Sequence, residues 1–414
     1  NHSSRSSMRP SSNSARTPHQ QAQASPSHDP YTTTQANSQA KQQQQGPTLS
    51  EALELYVNEQ VNLKAWKQRT IKSNKPMLQL FVELIGENVP TSQLSFEHIR
   101  DYKAKLFRLP ANWQKRQAYR DKTVQELLEM DIPDDDKMST DTLKNRFNKT
   151  SSFIIWCKRQ GFLADDSIKD VLTIKKKKQD HEHRDPFSTE DLKKLFHSKE
   201  YLEGTFNKPF KYWVPLLGLF TGARLEEICQ LHLEDIVQEE GLWCIDINNR
   251  GVKNLKNASS QRIVPLHPVL TKDLGFISYV DKLKAQGETL LFPELKPHHG
   301  SRQNFSHNPS KWFGRYRDKV GIPKDPHDKG KKVFHSFRHT IANWCDRNGV
   351  PEKVASRMLG HSHDTMTYGR YSTDTAPSVL YREVVSRLDF GVDFSELSAD
   401  KINRSNKGYN LCLE

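Results

Sequence analysis

The sequence predicts a mainly α-helical protein with a small antiparallel β-sheet, divided into a helical domain and an α+β domain. Three observations predict it. Apolar residues recur at helical spacing through most of 48–165 and again through most of 186–390. Two short strand-like runs, 242–247 and 261–266, flank a polar stretch in the second region. A basic block, Lys175, Lys176, Lys177 and Lys178, separates the two regions as a linker would.

Taken in order, residues 1–47 are rich in Ser, Gln, Asn, Pro and Thr and poor in large aliphatics. Such a segment cannot bury enough apolar area to offset its chain entropy, so a disordered tail is expected. Thr48 or Ser50 can cap a helix that turns Leu53, Tyr56, Val57 and Val61 inward. A second helix is expected over 76–86, carrying Leu78, Leu80, Phe81 and Leu84, and a third over 96–106. Ser139 or Thr140 caps another, with Leu143, Phe147, Phe153, Ile154 and Trp156 inward and Lys144, Arg146 and Lys149 on the opposite face. Before it lies a polar insertion holding Trp113, Lys115, Arg116, Tyr119 and Arg120. Basic residues mixed with aromatics suit a loop that tracks a nucleic-acid strand; they equally suit a solvated loop with a local aromatic anchor.

The linker is placed at 166–185. Its lysines read as a strap over phosphates or as a solubilising hinge. The second domain opens at Pro186, where Phe187, Ser188, Glu190 and Asp191 form a helix start: an apolar residue, a hydroxyl cap, then acids facing the helix dipole. Helices dominate to Asp235, the two strand-like runs follow, and helices resume over 268–285, 307–320, 335–347 and 351–359. The run Val379, Leu380, Val384, Val385 and Leu388 reads as an amphipathic helix, docked on its own domain or on a neighbouring protomer. Residues 391–414 read as a tail.

Composition narrows the function. Lys and Arg number 62 against 50 Asp and Glu, a formal charge of +12, which points to a polyanionic partner, nucleic acid before membrane. No apolar run approaches the ~20 residues needed to cross a bilayer, and the N-terminal stretch has no secretory-type apolar core, so a cytoplasmic protein is expected. The five cysteines, Cys157, Cys229, Cys244, Cys345 and Cys412, are scattered, with no CxxC pair or zinc-type His spacing. They read as reduced, buried thiols. No P-loop, HExxH or carboxylate cluster for two-metal catalysis is present, so no cofactor is expected.

Chemistry-bearing residues cluster in the second domain. Arg224 lies in Thr221-Gly222-Ala223-Arg224-Leu225-Glu226-Glu227, where Gly222 ends one helix and another begins. Glu227, one turn on, can hold its guanidinium. In His335-Ser336-Phe337-Arg338-His339, His335 and Arg338 share one face at a helix start. Leu359-Gly360-His361 follows, and then Tyr368 and Tyr371. Two guanidinium forks can hold both non-bridging oxygens of a phosphodiester as charge builds on them. Singly, each motif is a surface ion pair, a chance HxxR or an interface aromatic.

The ordered set resembles the tyrosine recombinase family of the phage-integrase kind. Thr-Gly-Ala-Arg-x-x-Glu, Phe-His-Ser-Phe-Arg-His-Thr and Leu-Gly-His-Ser match its motifs, and Arg262-Ile263-Val264-Pro265-Leu266 resembles its hairpin segment after a catalytic lysine. The likeness is strong over 186–375, and 48–165 resembles the family's core-binding domain. The resemblance implies that Arg224 and Arg338 clamp a scissile phosphate, that Tyr371 attacks it to give a 3′-phosphotyrosyl link, and that His361 donates a hydrogen bond to the same phosphate. It further implies that His335 assists proton transfer and that a hairpin lysine, Lys256 in preference to Lys253, protonates the leaving 5′-oxygen. Tyr371 is preferred to Tyr368 as nucleophile because its distance from His361 is nearer the family's. Double-stranded DNA recombination sites, a synaptic homotetramer and accessory DNA-bending or directionality proteins are the implied partners. Lys115, Arg116, Lys144, Arg146, Lys149 and the lysines of the linker are candidate DNA contacts. A type IB topoisomerase and a non-catalytic DNA-binding protein are the rival readings.

Overall fold

The computed structural model describes residues 46–174, 185–297, 304–322, 332–361 and 376–397. Tyr368, Tyr371, Cys412, the four linker lysines and nearly all of the expected N-terminal tail lie outside these residues. The chain divides into two compact units, 1–177 and 178–414.

The first unit is built from α1 (Leu49–Asn62), α2 (Gln68–Ile85), α3 (Phe96–Arg108), α4 (Val124–Glu129) and α5 (Thr140–Arg159). Thr48 starts α1 through a capping box: the Glu51 amide donates to its hydroxyl at 3.3 Å, and its own amide donates to the Glu51 carboxylate at 2.9 Å. Leu53, Tyr56 and Val57 are buried as expected, but Val61 is exposed because the last turn of α1 runs past the core. Helix α2 begins eight residues before the expected start and continues through Pro76. The lost amide is tolerated because Asn74, Leu78, Phe81 and Val82 pack inward on both sides of it. Helix α4, capped by Thr123 and Glu126, was not expected and gives the polar insertion its own structure. The expected linker starts too early. Residues Ser167–Leu172 form a 3₁₀ turn that buries Ile168 and Leu172, and Lys103 Nζ donates to the Val171 and Thr173 carbonyls at 2.6 and 3.0 Å.

The second unit contains α6 (Thr189–Phe196), α7 (Lys199–Leu202), α8 (Pro209–Thr221) and α9 (Leu225–Cys229). The strands β1 (Ile236–Glu239), β2 (Leu242–Ile247) and β3 (Arg262–Pro265) follow, then α10 (Phe276–Ala285), α11 (His307–Lys319), α12 (Ser336–Arg347), α13 (Glu352–Leu359) and α14 (Pro377–Glu383). The strands form one antiparallel sheet in the order β1-β2-β3, with Ile245 facing both Ile236 and Val264. Strand β1 escapes sequence reading because only its first two residues, Ile236 and Val237, are apolar, and Gln238 and Glu239 run straight into the turn. Its hairpin turn is nonetheless a sharp one, Glu240 and Gly241 both having positive φ, as a two-residue turn matched to strand twist requires.

Helix α8 is the buried axis of this unit, with every residue from Tyr212 to Thr221 inside. A Cβ at Gly218 would sit 2.6 Å from Phe334 Cζ, so glycine here lets α8 approach the start of α12. Leu380, Val384, Val385 and Leu388 are all buried in this unit's own core, which uses up the apolar face of the segment after α14 begins. The expected tail also starts too early. Phe394 and Leu397 are buried, and the Phe394 ring lies 5.1 Å from Phe220 and 5.5 Å from Phe196. Cys157, Cys229, Cys244 and Cys345 are buried and free, and burial pushes the Cys157 thiol up to about 12. No helix among the described residues is long and apolar enough to cross a membrane, and no group of three or more His, Cys, Asp or Glu among them could hold a metal ion.

Candidate active site

The site grows from the turn between α8 and α9. Thr221 Oγ1 donates to the Leu217 carbonyl at 2.5 Å and accepts from the Ala223 amide, and Gly222 then takes φ +62°. Glycine is required there: a Cβ would meet Leu359 Cδ2 at 2.7 Å. The turn delivers Arg224 to the start of α9, which at five residues is too short for its dipole to matter much. Side chains, not helix ends, therefore hold Arg224. Its Nη1 donates to Glu227 Oε1 at 2.6 Å and to Ser260 Oγ at 3.0 Å, and its amide donates to Glu227 Oε2 at 2.9 Å.

Glu227 is buried, and its second oxygen also accepts from Arg262 Nη2 at 3.0 Å. Arg262, whose side chain is fully buried, donates Nη1 to the Ser260 carbonyl at 2.7 Å and Nε to the Met358 carbonyl at 2.8 Å. Arg338, in the first turn of α12 and buried, donates Nη1 to the Gly222 carbonyl at 3.1 Å. Its Nη2 is buried with no hydrogen-bond partner among the described residues. His361 follows the left-handed Gly360 that ends α13, its amide bonded to the Ser356 carbonyl at 3.0 Å.

The charges do not balance. Three guanidiniums and one carboxylate share the site, and the ionisation of Arg338, His361 and Glu227 reflects it. Burial, followed by the charges of Arg224 and Arg262, pushes Arg338 down to about 9, with Glu227 opposing. Although His361 retains access to solvent, desolvation pushes its imidazole down to about 4, aided by Arg338, Arg224, Arg262 and His339. Burial works against the Glu227 carboxylate, yet Arg262 and then Arg224 hold it below the usual range. A buried unpaired N–H beside excess positive charge is a cradle for an anion.

Arg224, Glu227, Arg338 and His361 are thus brought together. His335 sits half-buried at the start of α12, its ring centroid 5.1 Å from that of His339. The hairpin lysines separate cleanly. Lys253 is buried, donating to both oxygens of the buried Asp235 at 2.5 and 2.8 Å, and Asp235 also accepts from Asn248 at 2.8 Å. Lys256 is exposed on the β2–β3 loop. Sequence reading missed Arg262 as a working residue, noting it only within a motif. The signal was there: strand periodicity sets Arg262 on the same face as buried Val264, and a charge on a buried face needs a partner.

In the helical unit, Trp113 and Tyr119 are buried, and Arg116 pairs with Asp136. Tyr119 donates to the same carboxylate at 2.6 Å. The insertion is therefore the aromatic anchor of the two readings, its rings packed inward and unavailable for stacking on bases. Lys115 is exposed. Lys144 and Arg146 are half-buried on α5, and Lys144 Nζ and Arg146 Nε and Nη1 have no hydrogen-bond partner among the described residues. The Arg146 guanidinium lies 5.7 Å from the centroid of Trp113.

The second unit thus carries a cationic cradle at two helix starts, beside a hairpin, in a mainly helical fold with a three-stranded sheet. Residues 187–376, a little under half of the chain, match the phage integrase family model. Among curated proteins, it is 26% identical over 156 residues to the tyrosine recombinase XerA of Thermococcus kodakarensis, covering 37% of this chain and 48% of that one. It is 28% identical over 260 residues to a XerC-like tyrosine recombinase of Caldanaerobacter subterraneus, covering 56% and 62%. The chain thus spans about half the length of the first of these relatives and under two thirds of the second. Its fold is similar to that of a lambda integrase tetramer bound to a Holliday junction, with a TM-score of 0.50 at 16% identity over 82% of this chain and 83% of that one. It is also similar to the Tn1549 transposon integrase in complex with a circular intermediate DNA, with a TM-score of 0.50 at 15% identity over 81% and 98%.

Proposed function

We propose that this protein is a site-specific DNA recombinase that cleaves and rejoins DNA through a covalent bond to Tyr371. The observation that carries the proposal is Arg338 Nη2, buried beside Arg224 and without a hydrogen-bond partner among the described residues, in a cluster short of negative charge. Arg224 and Arg338 take the non-bridging oxygens of the scissile phosphate, and the site's surplus charge is neutralised when the phosphate enters. The Tyr371 oxygen attacks phosphorus, the bond to the 5′-oxygen breaks, and a 3′-phosphotyrosyl link forms. His335 accepts the tyrosine proton, and Lys256 gives a proton to the departing 5′-oxygen. His361, neutral in the free protein, donates a hydrogen bond to the same phosphate. Attack by the 5′-hydroxyl of a second strand reverses each step, so bond energy is conserved and no external energy source is used.

The assignment of Lys256 is supported by Lys253 being committed to Asp235. Integration or excision of a mobile element, by a homotetramer on two double-stranded sites with accessory DNA-bending or directionality proteins, is the role we assign. Lys115, Lys144, Arg146, Lys149 and the lysines at 175–178 would contact the duplex backbone, while Arg116 serves its own loop through Asp136. The protein would work in the cytoplasm, on DNA.

The test is a duplex nicked near a candidate crossover site, incubated with protein in chelator, resolved on denaturing gels, with any DNA-linked peptide mapped by mass spectrometry. An adduct at Tyr371 is expected. An adduct at Tyr368 would keep the reaction and overturn the nucleophile. No adduct on a duplex that the protein demonstrably binds would overturn the enzymatic reading.

A further inference from the structure

Arg262 touches three of the segments that carry the cradle: the start of α9, the hairpin and the end of α13. Through Glu227 it reaches the start of α9, and through the Ser260 carbonyl it reaches the hairpin. Ser260 in turn accepts Arg224 on its hydroxyl at 3.0 Å, so the two arginines are fastened to the same residue as well as to the same carboxylate. Through the Met358 carbonyl, Arg262 reaches the end of α13. Gly360 completes the arrangement: a Cβ there would stand 2.8 Å from Arg262 Nη1, so the residue before His361 packs directly on the guanidinium. Each nitrogen of the fork donates one hydrogen bond within the protein, and the side chain is fully buried, so it does not face an incoming phosphate.

We infer that Arg262 is a positioning residue that registers Arg224 against the His361 turn, so that both meet one phosphate at once. This rests on the recombinase reading. A planar fork can fix three segments in fixed directions, whereas a lysine ammonium keeps the charge without the geometry. The charged groups around Arg262 are Glu227, Arg224 and Arg357, and those acting on His361 are Arg338, Arg224, Arg262 and His339. Arg262 thus also helps to keep His361 neutral before DNA arrives.

The experiment uses the full chain with Arg262→Lys and Arg262→Met. Without DNA, the His361 Cε1 proton is titrated by NMR. With DNA, adduct formation is timed on a nicked duplex that the unaltered protein cleaves, at saturating DNA. Arg262→Lys is expected to keep its far-UV circular dichroism and DNA affinity, and to slow adduct formation by about tenfold or more. Its His361 midpoint should stay low, while Arg262→Met raises that midpoint by about one unit. A folded Arg262→Lys protein that cleaves at the unaltered rate would overturn the inference, as would a folded Arg262→Met protein with an unmoved His361 midpoint. Should Arg262→Met fail to fold, the cleavage rate of Arg262→Lys decides. If the unaltered protein forms no adduct on a duplex it binds, the recombinase reading falls, and the His361 titration still reports whether Arg262 acts on that turn.

Discussion

Arg224 and Arg262 grip opposite oxygens of one buried carboxylate, Glu227, at 2.6 and 3.0 Å. Removing that carboxylate's charge leaves two guanidiniums facing each other in a desolvated site. We predict that Glu227→Gln destabilises the protein by about 3 kcal/mol, the scale for breaking a buried ion pair from one side. Urea denaturation measures it, and a loss below about 1 kcal/mol would show that the pair adds little. The pH dependence has a definite sign. Glu227 is held below its usual 4.5, so its contribution is fully present above that value and fades as pH falls through the depressed folded value.

The two hairpin lysines should respond in opposite ways. Lys253→Met leaves the buried Asp235 without its buried cation, with only the exposed Arg250 at 3.5 Å remaining, so we expect a loss of about 3 kcal/mol in stability. Lys256→Ala removes an exposed side chain, with stability changing by less than about 0.5 kcal/mol. It should slow cleavage, and a substrate whose leaving 5′-oxygen is replaced by sulfur should restore the rate, because a thiolate leaves without a proton donor. Failure of the sulfur substrate to restore the rate of Lys256→Ala would remove Lys256 from the role of general acid.

His361 makes the site sensitive to acid. Its folded value of about 4 lies below the ordinary 6.5, so the folded state binds fewer protons between those values. Stability is therefore full above about 6.5, and declines as pH falls toward 4. A bound phosphate offsets Arg338 and Arg224, raises the imidazole and draws in a proton. DNA binding at pH 5.5 should then take up protons, measurable as a buffer-dependent heat of binding, and His361→Asn should abolish that uptake. Equal heats in buffers of different ionisation enthalpy would refute the coupling.

The helical unit shows where sequence reading reaches its limit. The faces of α1, α3 and α5 were legible because burial there follows the helical period, as at Leu143, Phe147 and Ile154. The start of α2 was not, since Pro76 carries the local signal of a helix start while the packing of Asn74 and Leu78 overrides it. Within the site, Arg224, Glu227, Arg338 and His361 were legible because each lies within a few residues of a turn or cap that fixes its direction. The tie from Arg262 to Met358 spans 96 residues, and no local pattern encodes such a meeting. Trp113 and Tyr119 could be read either way until burial decided. Trp113→Ala should consequently cost about 3–5 kcal/mol in stability, as for other buried large aromatics. Arg146→Ala should instead weaken duplex binding and flatten its salt dependence by about one unit of slope. A Trp113→Ala protein of unchanged stability that bound single strands poorly would restore the stacking role.

Gly222 joins architecture to chemistry at a single residue. Its carbonyl holds Arg338 Nη1 at 3.1 Å, its φ of +62° turns the chain toward Arg224, and its missing side chain admits Leu359. Alanine would strain the backbone and press on a buried leucine that has little room to move. Each effect is worth about 1–3 kcal/mol, and the two act together. The strain is relieved most easily by rotating the peptide that bonds Arg338, so the damage should reach function before it reaches the fold. We predict that Gly222→Ala loses about 2–4 kcal/mol of stability and that its folded fraction forms adduct at least about tenfold more slowly. Activity per folded molecule, from cleavage rates below the denaturation midpoint, separates the two effects. A full rate in the folded fraction would mean that the Gly222 carbonyl anchors the fold and leaves Arg338 to be placed by α12 alone.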